Sequence, residues 1–163
     1  MIETQGHFDL FQEADIVFVK GHDWIAKLIR LFTRKTGESS TIVNHVGVMV
    51  DEINIVESIN KTIIRPLSER IDTNSEVWIF RKIDLQLAQK IIIANRAKNY
   101  VGQAYGYLKI VAHGLDYFLF KSHYIIRRLL FLDNYPICSW VVAYAYDAAG
   151  IQFSIDPKFA DPD

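Results

Sequence analysis

Three residues of the chain are of the types that perform nucleophilic acyl transfer, namely Cys138, His45 and Glu57. A cysteine supplies a thiolate nucleophile, a histidine holds and returns the proton, and a carboxylate orients the imidazole. Cys138 is the only cysteine in the sequence. A disulfide within the chain is therefore excluded, and a reducing compartment is expected. The three residues lie far apart in sequence, so the hypothesis requires elements that bring them together.

Cys138 lies where the sequence predicts the first turn of a helix. Pro136 suits the start of a helix and Gly150 suits the position just after its end, while the residues between Cys138 and Gly150 are apolar nearly all round. Free amides and the helix dipole at such a start favour a thiolate over a thiol. The alternative is an inert cysteine that packs as a small apolar residue, which is the more common role of a lone cysteine.

A predicted β-hairpin carries His45 and Glu57. Its strands are NHVGVMV and INIVESI, separated by a polar turn at Asp51 and Glu52. An odd loop centred on Asp51 would place His45 directly opposite Glu57, with Cβ atoms about 4.5 to 5.5 Å apart. A loop of two or four residues would instead place Glu57 opposite Val46. We expect the His–Glu pair; the alternatives are a histidine bonded to the backbone and a solvated carboxylate.

The remaining pattern predicts one α+β domain over residues 1–163. Further strands are predicted at 15–19 and near TIIRPL and EVWIFRKI, and no linker or repeat interrupts the chain. Residues 22–35 and 85–100 have helical periods, the second with Asp84 as its N-cap. The apolar stripe predicted for this second helix consists of Leu85, Ala88, Ile91 and Ile92.

Composition excludes several other classes of function. The net charge of −1 provides no field for nucleic acid, and no segment resembles a signal peptide or a membrane span, so a cytoplasmic protein is expected. His22, His113 and His123 lack the spacing of metal ligands, and no phosphate-binding loop occurs, so neither a metal nor a cofactor is predicted. Basic apolar segments at 20–35 and 125–132 are interpreted as surface helices that dock on the sheet, with peripheral membrane contact as the alternative.

The order of the motifs resembles a known family. ADIVF, an amphipathic segment, NHVGVMV, IVES and CSWVVAYAYDAAG follow one another between about Asp15 and Gly150. This combination is similar to the circularly permuted papain-like cysteine hydrolases, in the YiiX-like branch of the NlpC-type superfamily. The histidine precedes the cysteine, which is the permuted order, also found in proteins like lecithin:retinol acyltransferase. The chain departs from the family at Ala14, where a glycine is usual, and after Cys138, where an acidic residue is frequent.

The resemblance implies a permuted papain-like (NlpC-type) fold, with an antiparallel sheet packed against a central helix that starts at Cys138. It implies Cys138 as nucleophile, His45 as base and Glu57 as the third, polar member. The expected activity is hydrolysis of an amide bond in a peptide, including peptides of the cell-wall type. A lipid-directed thioesterase or acyltransferase and a catalytically silent binding module are the alternatives, and the sequence leaves the oligomeric state open. The candidate substrate-binding residues are Tyr105, Tyr107 and Ser139, although packing is the more common role of a tyrosine.

Overall fold

A single antiparallel sheet of five strands forms the centre of the protein. The computed structural model describes residues 11–20, 43, 45–71, 76–106, 136–153 and 157. The strands are β1 (Ile16–Lys20), β2 (His45–Met49), β3 (Asn54–Ser58), β4 (Thr62–Pro66) and β5 (Glu76–Phe80). Their order across the sheet is β4-β3-β2-β1-β5. A 3₁₀ turn, Leu67–Glu69, and two helices, α1 (Leu87–Lys98) and α2 (Cys138–Ala148), complete the described elements.

Asp51 organises the turn between β2 and β3. Its carboxylate accepts hydrogen bonds from the amides of Ile53 and Asn54, and also from the Asn54 side chain. The amide of Val50 donates to the carbonyl of Asn54, so the turn is centred on Glu52 rather than on Asp51. An aspartate that bonds to amides two and three residues ahead closes a turn of this kind locally. Bonds inside the turn therefore close this connection, and the amide of Leu67 adds a further hydrogen bond to the carbonyl of Ile53.

Apolar side chains cover both faces of the sheet. Because neighbouring residues of a strand point to opposite sides, Val46, Val48 and Val56 face helices α1 and α2, while Val17 and Val19 face the other side. On the helix side these strand residues pack against a cluster from the two helices, made of Ile93, Ala94, Ala97, Cys138, Val141, Val142, Ala145 and Tyr146. On the other side of the sheet, Val17 and Val19 form a second cluster with Met49 and Ile55 of the neighbouring strands and with Leu67. Helix α2 is thereby fixed on the strands that carry the candidate site.

Helix α1 differs from its prediction in start and orientation. It is capped by Gln86, whose side chain forms a reciprocal capping box with Gln89, and not by Asp84. Its buried residues are Ile93, Ala94 and Ala97, whereas three of the predicted stripe residues, Ala88, Ile91 and Ile92, are exposed. Three consecutive isoleucines place apolar groups on several sides of a helix, so their periodicity does not define which side is buried. The two alanines allow α1 to approach α2 closely.

A second polar contact ties the chain before β1 to the rest of the fold. The buried carboxylate of Asp15 accepts two hydrogen bonds from Arg81, at 2.7 Å from Nε and 2.6 Å from Nη2. The Tyr146 hydroxyl of α2 donates to the carbonyl of Ala14. Ala14 has a φ of 72°, which is the left-handed conformation that favours glycine, so the glycine usual in the resembling family would be less strained here.

The described elements confirm an α+β fold with an antiparallel sheet and a helix that starts at Cys138. The predicted amphipathic helix at 22–35 and the basic apolar segment at 125–132 lie outside the described residues. Among the residues that are described, no helix is long and apolar enough to cross a membrane.

Candidate active site

Cys138 is the first residue of helix α2, as predicted. Ile137 is the N-cap residue and contributes no side-chain hydrogen bond to the helix start, and Gly150 follows the helix end with a φ of 76°. Amides in the first turn of a helix have no partners within the helix and carry the positive end of its dipole. The sulfur of Cys138 accepts hydrogen bonds from the amides of Ser139 and Val46. The helix start therefore presents donors to a thiolate.

Strand β2 brings His45 to this helix start, but the predicted register was wrong. Glu57 pairs with Gly47, not with His45, because the turn is centred one residue later than expected. A shift of two positions along a strand keeps a side chain on the same face. His45 is thus a diagonal neighbour of Glu57, at a separation that long side chains can bridge. Gly47, directly opposite Glu57, has no side chain to stand between them.

The His45 imidazole joins the carboxylate to the thiol. Nε2 lies 2.6 Å from Oε2 of Glu57, which leaves Nδ1 for the hydrogen bond to Cys138. Burial by itself would lower the pKa of His45, but the hydrogen bonds to Cys138 and Glu57 outweigh it and raise the pKa to about 9. The imidazole therefore keeps its proton at neutral pH and lies between the Glu57 carboxylate and the Cys138 sulfur. The two expected partners of His45 are both in place.

Glu57 is a fully buried carboxylate with three cationic neighbours. Burial would raise its pKa, yet the hydrogen bond and charge of His45, together with the charges of Arg70 and Arg65, hold the pKa below its usual range. Arg65 Nε donates to Oε1 at 2.5 Å, and Arg70 Nε lies 3.4 Å from Oε2. A buried carboxylate stays ionised only when it is paired in this way.

The sequence analysis did not identify Arg65 and Arg70 as part of the site. Arg65 pairs with Ile55 across the sheet and so faces the same side as Glu57. The signal that would have revealed it is an arginine alternating with apolar residues in TIIRPL, next to a strand that buries a carboxylate. Arg70 follows the 3₁₀ turn, and no strand periodicity predicts its position.

The thiol of Cys138 is biased towards the thiolate. Burial would raise its pKa, but the hydrogen bond and charge of His45 and the amides of Val46 and Ser139 lower it. Val46 pairs with Phe18 of β1, but the pairing of β2 with β3 begins only at Gly47, so β3 leaves the Val46 amide available to the sulfur. Thiolate and imidazolium therefore stabilise each other.

Ser58, the residue after Glu57, anchors the start of helix α2. Its hydroxyl donates to the carbonyl of Pro136 at 3.2 Å, and it accepts a hydrogen bond from Thr62 at 3.1 Å. The amide of Gly106 also donates to the Pro136 carbonyl. Since successive strand residues point to opposite faces, Glu57 holds the imidazole on one side while Ser58 holds the chain two residues before Cys138 on the other. The sequence analysis did not identify Ser58.

The candidate substrate-binding residues lie at different places. Tyr105 is buried against Ile137 and Trp140, beside the start of α2. Ser139 is buried in the first turn, with its amide at the sulfur. Both therefore lie next to Cys138, and their contact with a substrate stays a prediction. Tyr107 lies outside the described residues.

Access to the sulfur is restricted. Cys138 is 0% exposed and His45 is 8% exposed. The Cys138 side chain is therefore covered, so a small electrophile has readier access to its sulfur than a bulky one.

Comparison with known proteins gives one informative similarity. The fold is similar to the crystal structure of the metalloprotein YiiX from Escherichia coli O157:H7, with a TM-score of 0.58 and 21% sequence identity over 86% of this chain and 68% of that one. No family model matches the chain, and no curated protein matches it. The similarity shows a YiiX-like α+β fold.

The charged side chains of this site do not form a cluster of metal ligands within the described residues. No three His, Cys, Asp or Glu side chains converge there in a way that could hold a metal ion. His45 lies between Cys138 and Glu57, so the three do not surround a common point. The Glu57 oxygens also face two guanidinium groups, which would repel a further cation.

Proposed function

We propose that the protein is a cysteine hydrolase of the permuted papain-like type, which cleaves amide bonds through an acyl-enzyme intermediate. The observation that supports it best is the continuous buried chain from Glu57 through His45 to Cys138, with 2.6 Å between Oε2 and Nε2. A cysteine at a helix start, an imidazolium and an orienting carboxylate are the three groups that this chemistry requires. The proposed substrate is a peptide or another small acyl compound, including peptides of the cell-wall type.

The first half of the reaction forms a thioester. The Cys138 thiolate attacks the carbonyl carbon, and the electron pair of the C=O bond moves to the oxygen. His45 then gives its proton to the leaving nitrogen as the C–N bond breaks. The amide of Cys138 is a suitable donor to the oxyanion, because it lies at a helix start that no side chain of the described residues caps. One such donor contributes about 2.7 to 4 kcal/mol.

The second half restores the enzyme. Neutral His45 removes a proton from a water molecule, the hydroxide attacks the thioester, and Cys138 leaves as a thiolate. Glu57 stabilises the imidazolium that results, which returns the site to its starting charges. The same steps would hydrolyse an ester or thioester. Which leaving group the enzyme accepts therefore depends on the pocket and not on these three residues.

A test of the proposal uses the fact that Cys138 is the only cysteine. The thiolate is titrated by its ultraviolet absorbance, as a difference from Cys138→Ser, and by the rate of labelling with a small haloacetamide. We expect an apparent thiol pKa well below the value of about 8.5 for free cysteine. His45→Ala should raise that pKa. A thiol pKa at or above the free value would favour the silent binding module instead.

Turnover is tested with reporter peptide amides and acyl esters. We expect hydrolysis by the wild type and none by Cys138→Ala or His45→Ala. Faster turnover of esters with long acyl chains than of peptides would favour the lipid-directed alternative. Hydrolysis that persists in Cys138→Ala would refute the proposed nucleophile.

A further inference from the structure

We propose that Arg65 is a positioning residue of this site, which keeps the Glu57 carboxylate ionised and aimed at His45 so that the thiolate–imidazolium pair persists as the pH falls. The inference rests on the proposed function only where it concerns turnover. Its main consequence, a change in the pH dependence of the Cys138 thiolate, is measured without a substrate.

The two carboxylate oxygens of Glu57 are divided between the partners. Arg65 contacts Oε1 through both Nε, at 2.5 Å, and Nη2, while His45 takes Oε2 at 2.6 Å. The last torsion of a glutamate is broad and roughly two-fold, so a free carboxylate would rotate. Two contacts from one rigid guanidinium fix Oε1 and thereby leave Oε2 facing the imidazole.

Arg65, more than Arg70, has the geometry for this role. Arg70 Nε lies 3.4 Å from Oε2 and forms no hydrogen bond within the described part of the chain. The charged groups that act on Glu57 there are His45 from β2, Arg65 from β4 and Arg70 after the 3₁₀ turn. Cys138 of α2 acts on it through His45. Arg70 therefore supplies charge at a distance, whereas Arg65 supplies both charge and direction.

Loss of Arg65 changes the pH at which the site takes up protons on acidification. The charges of the two arginines help to hold the pKa of Glu57 below its usual range, and one such neighbour lowers a carboxyl pKa by about 1 to 3 units. Without Arg65, Glu57 takes up a proton at a higher pH. His45 then keeps only the Cys138 thiolate as an anionic partner, so its own pKa falls and its proton returns to Cys138 more readily. The thiolate is lost at a correspondingly higher pH.

The experiment compares three variants of the full chain. Thiolate absorbance is recorded from acid to neutral pH for Arg65→Gln, Arg65→Lys and Arg81→Gln, each as a difference from the same variant with Cys138→Ser. Arg81→Gln is the matched control because Arg81 also binds a buried carboxylate, that of Asp15. If Arg65→Gln does not fold, Arg65→Met retains more of the apolar stem and carries the same expectation.

We expect Arg65→Gln to shift the acid edge of the thiolate signal upward by about one pH unit or more. Arg65→Lys should leave the edge closer to that of the wild type, because it keeps the charge, and Arg81→Gln should leave the edge unchanged. An Arg65→Gln profile that overlays the wild type, or an equal shift in Arg81→Gln, would overturn the inference. A wild type that titrates as expected but hydrolyses no reporter would instead refute the proposed function and leave the role of Arg65 standing.

Discussion

At the scale of single residues, the site is a line of alternating charges: Arg65, Glu57, His45 and Cys138. Each member is buried or partly buried, so each charge is stable only because its neighbour has the opposite sign. A coupled line of this kind predicts that changing one member shifts the titration of the next. If these side chains only packed against one another, changing one of them would not shift the pKa of the next.

Glu57→Gln tests this coupling directly. The variant keeps an acceptor near Nε2 but removes the charge, so we expect the pKa of His45 to fall from about 9 by roughly one unit or more. The measurement is an NMR titration of the His45 ring, assigned by its absence in His45→Ala. Glu52→Gln is the control, since Glu52 is an exposed carboxylate of the same hairpin. An unchanged His45 titration in Glu57→Gln would contradict the coupling.

At the scale of elements, the hairpin shows what the sequence could and could not predict. Alternation placed His45 and Glu57 on one face, and this is confirmed because alternation depends only on odd and even positions. The partner across the sheet was predicted wrongly, since the hydrogen bonds of Asp51 centre the turn on Glu52. The side of α1 that is buried could not be predicted from three consecutive isoleucines. Alternation predicts the face of the sheet correctly even when the register is shifted by two residues. It does not predict which two residues pair across the strands.

Gly47→Ala tests how closely β2 and β3 must approach. A Cβ at Gly47 would lie 2.6 Å from Cδ1 of Ile55 and 2.8 Å from the carbonyl oxygen of Val56. The side chain can shift but the carbonyl belongs to the sheet, so we expect destabilisation of about 1 to 3 kcal/mol. Urea unfolding measures it.

Gly47→Ala should cost less when it is introduced into Ile55→Val than into the wild type, because Ile55→Val removes Cδ1 but leaves the Val56 carbonyl in place. No cost at all in Ile55→Val would assign the whole effect to the side chain. A Gly47→Ala protein as stable as the wild type would show that the strands separate without cost.

At the scale of the whole molecule, the site joins segments that only the tertiary fold brings together. Strands β2, β3 and β4 supply His45, Glu57 and Arg65, and helix α2 supplies Cys138. The hydrogen bond from Ser58 to the Pro136 carbonyl connects the sheet to the start of that helix. The residue types, the helix start and the strand positions were predictable from local patterns. The meeting of Cys138 and His45 was expected from the residue types and the resemblance rather than from such a pattern, because no local pattern encodes a contact between distant segments. The contacts of Arg65 and Arg70 with Glu57 were not predicted.

The same charges link the site to the stability of the whole fold. The lowered pKa of Glu57 contributes stability above its ordinary pKa, and this is lost as the pH falls through the folded value. The raised pKa of His45 contributes stability below 6.5 that would be lost as the pH rises through about 9. The lowered pKa of Cys138 contributes stability above 9.0 that is lost as the pH falls through its folded value.

The protons bound by His45 and Cys138 must be counted together, because the two groups are hydrogen-bonded in the folded protein. Around neutral pH the unfolded chain holds one proton, on Cys138, and the folded pair holds one on His45, because the pKa of His45 is raised and that of Cys138 is lowered. The two states then bind equal numbers of protons, so the pair adds no pH dependence there. Towards acid the unfolded chain takes up a second proton on His45 near 6.5, whereas the folded pair takes up its second proton on Cys138, whose lowered pKa delays the uptake. The pair and Glu57 therefore both lose stabilising energy towards acid.

We accordingly expect the urea midpoint of the wild type to change little between pH 7 and about 9 and to fall progressively below about pH 6.5. Cys138→Ala, which removes the second proton site, should lose part of this acid dependence while keeping the part due to Glu57. The matched control is Ser139→Ala, next along the chain and equally buried but not titratable. A wild-type midpoint that rises on acidification below pH 6.5, or a Cys138→Ala profile parallel to that of the wild type, would contradict the thiolate–imidazolium pair in the folded protein.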